Sequence, residues 1–239
     1  MTWYSGGYSG DRIRIRHFRD NHEKPFPLWE FRQAVCEPVH REGLWERLEI
    51  GNLSPEFRVV RAYPKSNVVA VDGAAAMLQV ARARLGDQST RVSFLVGTFA
   101  EVARQVSGIA PVDAVLSAYA LHHLSASEKL DTLRQCLEVL KPRGWFLNGD
   151  LVVAESLEVE QRIQQIRLNG VVRRARQGDN RFVNVETTRR FLDELEASEG
   201  DQPLTLKEDL RLLHQAGYDT VSVFWKEYRE VVYGGRKPG

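Results

Sequence analysis

Three observations on this 239-residue chain predict an α/β fold. From Phe57 onward, short apolar runs alternate with longer stretches of helical periodicity. Runs such as Ala114-Val115-Leu116 are apolar at consecutive positions, which marks strands covered by helices on both faces and therefore a parallel sheet. The last two strand candidates, 221–226 and 230–233, are joined only by Glu227 to Arg229, so they must form an antiparallel hairpin. The expected architecture is a seven-stranded, mostly parallel sheet with helices on both faces, closed by a C-terminal antiparallel hairpin.

The remaining strand candidates are 57–60, 68–72, 92–96, 112–117 and 145–152. Helical patterns lie between them at 75–85, 99–106, 126–140, 157–172, 185–199 and 206–216. Before this alternation, residues 1–41 read as an N-terminal arm over the active site, with a basic run from Arg12 to Arg19. Short helices are expected at 28–39 and 42–48, burying Trp29, Phe31, Trp45 and Leu48. Residues 42–239 form the main domain. The stretch 153–201 exceeds a minimal crossover and reads as a helical insert on the substrate side.

Composition narrows the function classes. The chain is 43% hydrophobic and 27% charged, ordinary for a globular protein. Basic and acidic residues nearly cancel, 33 against 32, which argues against a nucleic-acid partner. No stretch approaches the roughly 20 apolar residues of a membrane span, and no signal-peptide core opens the sequence. Cys36 and Cys136 are too far apart in sequence to suggest a metal motif or a disulfide framework. The expectation is a cytoplasmic protein with two reduced thiols and no membrane contact. Its oligomeric state is not legible.

The chemistry-bearing residues gather at predicted strand ends. Val71-Asp72-Gly73 closes an apolar strand on a carboxylate and leads to Ala76-Met77-Leu78. Val96-Gly97-Thr98-Phe99 ends the next strand. Val112-Asp113-Ala114-Val115-Leu116-Ser117-Ala118-Tyr119-Ala120-Leu121-His122-His123-Leu124 is a buried strand running into a polar turn. Leu140-Lys141-Pro142-Arg143-Gly144-Trp145-Phe146 is a helix stop followed by a strand. Leu212-Leu213-His214-Gln215-Ala216-Gly217-Tyr218, followed by Phe224-Trp225-Lys226, ends the domain. In parallel sheets ligands collect at the carboxyl ends of strands, so Asp72, Thr98 and Ser117 to Tyr119 can line one crevice.

In this order the five motifs resemble the class I S-adenosylmethionine-dependent methyltransferases, a Rossmann-like family. The resemblance covers about residues 42–236. It implies S-adenosylmethionine as cofactor and a small-molecule methyl acceptor. Asp72, with Gly73, would bind the ribose hydroxyls, and Met77 would lie near the adenine. Gly97, Thr98 and Phe99 would read the adenine edge, with Thr98 standing where many relatives place an aspartate. Ser117 and Ala118 would approach the methyl group, and Tyr119, His122 and His123 are the catalytic candidates. Two alternatives stay open: a methyltransferase-like binding or scaffold module, and an RNA methyltransferase using Arg12 to Arg19 and the run Arg173, Arg174, Arg176 and Arg181.

The chain departs from the family before Asp72. The family's first strand runs into a glycine-rich turn and a helix, where backbone must approach the cofactor closely. Here only seven residues, Arg61 to Asn67, follow Val60 before the second strand, and none is glycine. A parallel crossover needs about a dozen or more residues. Either a segment has been excised from this stretch or the chain lacks the loop outright.

Each candidate also has a plainer reading. Asp72 serves equally as a strand-end cap, and Met77 as core. His122 and His123 either titrate as acid and base or pack under their loop. Asp150 either faces an acceptor or caps the following helix. The arginine run is either a solvated face or a grip on an anionic substrate.

Overall fold

The computed structural model describes residues 12–18, 66–101, 111–175 and 180–239, together with Arg104, Val106 and Gly108. Its strands are β1 (Arg12–Phe18), β2 (Ser66–Asp72), β3 (Val92–Val96), β4 (Val112–Ala118), β5 (Leu140–Leu151), β6 (Asp219–Glu227) and β7 (Glu230–Arg236). Its longer helices are α1 (Ala75–Leu85), α2 (Ala126–Val139), α3 (Leu157–Arg174), α4 (Val185–Glu199) and α5 (Leu206–Ala216). The strands form one sheet in the order β3-β2-β1-β4-β5-β7-β6.

Pairing directions refine the expected sheet. β2 with β3 and β4 with β5 are parallel, whereas β1 is antiparallel to both β2 and β4. The β5–β7 and β7–β6 pairs are antiparallel, so the C-terminal hairpin is present. The expected first strand at 57–60 lies outside the described residues, as do the helices at 28–39 and 42–48. The slot between β2 and β4 holds Arg12–Phe18 instead, which corrects the reading of those residues as part of an arm above the site. The reason is visible in Arg12-Ile13-Arg14-Ile15-Arg16: polar and apolar residues alternate with the period of a strand.

Alternation along the strands divides the core into two layers. On one face Val69, Val71, Val115, Phe146, Val231 and Tyr233 pack with Leu133, Cys136 and Val139 of α2 and with Leu212, Leu213 and Ala216 of α5. On the other, Val68, Ala70, Ala114, Leu116, Leu147 and Val232 pack with Leu78 and Leu85 of α1. Each fully buried valine, leucine or phenylalanine among them is worth about 1.5–3 kcal/mol. Tyr218 ties the first layer together, its hydroxyl donating to the Leu133 carbonyl at 3.0 Å.

Local signals explain the boundaries. Ser125, Asn184 and Thr205 each form a reciprocal capping box at the start of α2, α4 and α5. Gly200 and Gly217 end α4 and α5 with φ of 71° and 103°. Of the helix expected at 99–106, the described residues show a 3₁₀ turn at Phe99–Glu101 and a helical Arg104, and residues 102, 103 and 105 lie outside them. In β5, Lys141-Pro142-Arg143-Gly144 bulges out of register, with only Asp113 separating the paired Val112 and Ala114 opposite. Proline cannot donate to the ladder, and Arg143 takes a φ of 64°, so the bulge follows from sequence.

The helical insert is closed at its base. Val153 bridges Thr205, and the Val153 amide donates to the Leu204 carbonyl at 3.0 Å. Its α3 and α4 share a separate small core of Leu168, Val171 and Leu192. Arg229, before β7, reaches Glu160 of α3 and Glu196 of α4, fastening the insert to the hairpin. Among the described residues no helix is long and apolar enough to cross a membrane.

Candidate active site

Two strand ends form the first side of the candidate site. Asp72 and Val96 are partners in the β2–β3 register, so both strands stop at one level. Asp72 is 5% exposed, and its Oδ1 accepts the Ala74 amide at 2.9 Å. The carboxylate therefore does cap the turn into α1, and in doing so it is fixed at the sheet's carboxyl edge. Its carbonyl accepts the Gly97 amide at 3.2 Å, which joins the two turns. Gly73 and Met77 are half-buried and Thr98 is exposed. Phe99 is 2% exposed in the core layer that includes Val69 and Val71, so its ring supports the turn from within.

The turn after β4 forms the second side. Ser117 and Ala118 are buried opposite Asn148 and Gly149 of β5. Tyr119 follows with a φ of 47°, a left-handed conformation that non-glycine residues adopt at a cost. Its amide donates to the Gly149 carbonyl at 2.8 Å, which holds that conformation in place. The Tyr119 side chain is half-buried.

Asp150 organises what comes next. It is 3% exposed and accepts from the Leu121 amide (3.0 Å), the Asn148 side-chain amide (3.2 Å) and the Leu151 amide (2.9 Å). Its Oδ1 lies 2.5 Å from His122 Nδ1. On the far side of the ring, His122 Nε2 is 3.5 Å from Asp201 Oδ1, and His123 Nδ1 is 3.0 Å from the same oxygen. The Gln202 amide donates to the His122 carbonyl at 2.6 Å. One polar cluster thus joins the β4–α2 turn, the end of β5 and the chain leaving α4.

Electrostatics follow from these contacts. Burial opposes charge on His122, but its hydrogen bond to Asp150 and the nearby Asp201 carboxylate prevail and raise its pKa to about 9. Burial likewise opposes ionisation of Asp150 and Asp201, yet the imidazoles hold both carboxyls below their ordinary range. His122 has a carboxylate at each ring nitrogen and is 5% exposed. These contacts tie its turn to the end of β5 and to the chain after α4, and His123 lies beside it with ring centroids 4.0 Å apart.

The sequence did not reveal Asp201, because its contacts cross from one segment to another with no spacing signal. Asn148 was detectable: it is a polar residue interrupting the apolar run Trp145-Phe146-Leu147. Two arginine side chains of the run are described. Arg181 lies over the rings of Phe182 and Phe191, at 5.0 and 5.4 Å from their centroids, and Arg173 Nε bonds the Asn169 carbonyl. The Arg174 side chain and Arg176 lie outside the described residues. A separate open groove of about 680 Å³ runs along α5, lined by residues such as Leu206, Leu210 and His214, and contains none of the candidate residues.

Residues 51–144 match a family model described as a methyltransferase domain, and this span includes the turns after β2, β3 and β4. That match and the order of the turns are consistent with the class I S-adenosylmethionine-dependent methyltransferases, to which the matched segment is similar. The chain is also 28% identical over 103 residues to an uncharacterised methyltransferase of Oceanobacillus iheyensis, covering 43% of this chain and 45% of that one. Its fold is similar to a solved O-methyltransferase of Nostoc punctiforme described as putative (TM-score 0.53, 17% identity, 76% of this chain and 47% of that one). An O-methyltransferase family protein of Burkholderia thailandensis is comparable (TM-score 0.53, 16% identity, 77% and 48%). The chain spans about half the length of these relatives.

Proposed function

We propose that this domain transfers a methyl group from S-adenosylmethionine to a small-molecule acceptor. The observation that carries the reading is Asp72, a buried carboxylate fixed at the edge where β2 and β3 end together. A ribose diol asks for such a carboxylate at such an edge. The residues present fit the adenosine half of the cofactor. Asp72 and Gly73 would hold the ribose, Met77 and Thr98 would border the adenine, and Gly97 and Phe99 would support the turn beside it. Thr98 offers a hydroxyl where an amino group needs an acceptor.

When bound, S-adenosylmethionine supplies an electrophilic methyl group on a sulfonium. Ser117, Ala118 and Tyr119 would border that group, with the Tyr119 ring available to a cationic centre. The protein's contribution to such a transfer is chiefly alignment, with a base needed only where the acceptor must lose a proton. His122 and His123 then act as positioning residues that set the turn carrying Tyr119. The insert of α3 and α4 is placed to shape the acceptor side. Solved relatives described as O-methyltransferases support a small hydroxylated acceptor.

A second reading is favoured by one observation. The sheet slot beside β2 holds a strand antiparallel to both of its neighbours, where the expected fold has a parallel one. A domain that binds the adenosine moiety without catalysing transfer would suit that geometry. Isothermal titration with S-adenosylmethionine, followed by an assay for S-adenosylhomocysteine release across acceptor classes, separates the two. Binding with turnover supports transfer, and binding without turnover supports the binding module. Affinity unchanged in Asp72→Ala would refute the ribose contact.

A further inference from the structure

We propose that His122, His123 and Asp201 bind a divalent transition-metal ion of the zinc class. His122 Nε2, His123 Nδ1 and an Asp201 carboxylate oxygen converge from two distant segments and lie within 4.8 Å of one another. Asp201 Oδ1 is 3.5 Å from the first and 3.0 Å from the second. Ligand atoms around a tetrahedral zinc ion are roughly 3.3 Å apart, given metal–ligand bonds of about 2.0–2.1 Å. The two measured separations bracket that edge. Two imidazoles and one carboxylate form a donor set that suits zinc, with a coordination position left for water.

The surroundings are those of a supported metal ligand. His122 places Nδ1 against Asp150, which fixes the ring and leaves Nε2 directed at Asp201. A carboxylate behind a histidine is the usual outer partner of a zinc ligand. Asp150 is itself immobilised by the amides of Leu121 and Leu151 and by Asn148. Asp201 is held through its backbone, whose amide donates to the Glu196 carbonyl at 3.1 Å.

An independent observation points to a ligand. His123 Nδ1 and Asp201 Oδ1 are both buried, and neither makes a hydrogen bond although they are 3.0 Å apart. Buried polar atoms are nearly always satisfied, so two facing each other without a bond ask for a third partner. A dication between them satisfies both atoms and balances the charges of Asp150 and Asp201. In doing so it clamps the β4–α2 turn to the segment after α4.

The test uses tag-free, full-length protein stripped with a chelator and then titrated with Zn²⁺ and Co²⁺. The expected results are one tightly held ion per chain by elemental analysis, a visible tetrahedral Co²⁺ absorption band, and a rise in Tm with metal. Asp201→Asn and His123→Gln preserve size and are expected to weaken binding at least about 100-fold, while Asp150→Asn weakens it about 10–100-fold. Circular dichroism checks that each variant is folded. Absence of both the Co²⁺ band and the metal-dependent rise in Tm in the wild type would overturn the proposal. So would unchanged affinity in folded Asp201→Asn and His123→Gln. The wild-type measurements decide the matter even where a variant does not fold, and they are independent of cofactor binding or turnover.

Discussion

Lys129 of α2 and Asp209 of α5 form an ion pair of 2.8 Å in which each side chain is 1% exposed. It lies between the two helices that cover the first core layer, close enough to Asp150 for Lys129 to favour that carboxylate's charge. Removing one partner strands the other charge in the interior, which typically costs about 3–5 kcal/mol. Lys129→Met is therefore expected to lower the urea midpoint sharply. The double variant Lys129→Met/Asp209→Leu should recover most of the loss, since no charge remains buried. A double variant no more stable than the single one would show that the pair is not the cause.

Glu230 predicts a pH dependence of stability. Burial raises its carboxyl to about 7, and Glu227 directly across the hairpin adds to the effect while Arg167 opposes it. A carboxyl whose folded pKa exceeds its unfolded value binds protons more tightly when folded. Its contribution is thus most favourable below pH 4.5, declines as pH rises towards 7 and is constant above that. Glu230→Gln should match the wild type near pH 4 and exceed it at pH 8, by at most about 3 kcal/mol. Chemical denaturation of both proteins across this range measures the difference. A difference that does not change with pH would exclude Glu230 as the titrating group.

Gly234 is required by close backbone approach. A Cβ there would lie 2.1 Å from the Phe146 carbonyl oxygen and 2.8 Å from Leu147 Cδ2. The β5–β7 pair must separate to admit it, so Gly234→Ala should cost about 2 kcal/mol or more. Gly200 offers a contrast, with a φ of 71° but nothing within 4 Å of an added Cβ. Gly200→Ala should cost only about 1 kcal/mol, from backbone strain alone. Thermal unfolding of the two variants gives the ranking.

These contrasts also explain what could be read from sequence. The helices 75–85, 185–199 and 206–216 have the expected bounds, because caps and glycines are local signals. Strand 92–96 was likewise legible from its apolar run. The strand Arg12–Phe18 was not, since its arginines drew attention as charge when their alternation with Ile13 and Ile15 was the structural message. Asp72 and the turn after β4 could be placed because ligands gather at strand ends. The joining of His122 to Asp150 and Asp201 was beyond reach: no periodicity records a contact between a turn and the end of a distant helical insert.

Tyr119 separates strain from function. Its φ of 47° costs about 1–3 kcal/mol for a non-glycine residue, and glycine would remove that cost. The half-buried ring offsets this through contacts worth a similar amount, so Tyr119→Gly should leave stability within about 1 kcal/mol of the wild type. Turnover should behave differently if the ring borders the transferred methyl group. Tyr119→Gly is then expected to reduce kcat at least tenfold with little change in S-adenosylmethionine affinity. Tyr119→Phe, which keeps the ring and the backbone state, should lose much less unless the hydroxyl contacts the acceptor. Measuring kcat, KM and cofactor affinity for both variants distinguishes these cases. A Tyr119→Gly protein with full turnover would remove Tyr119 from the transfer site and leave it only the role of shaping its turn.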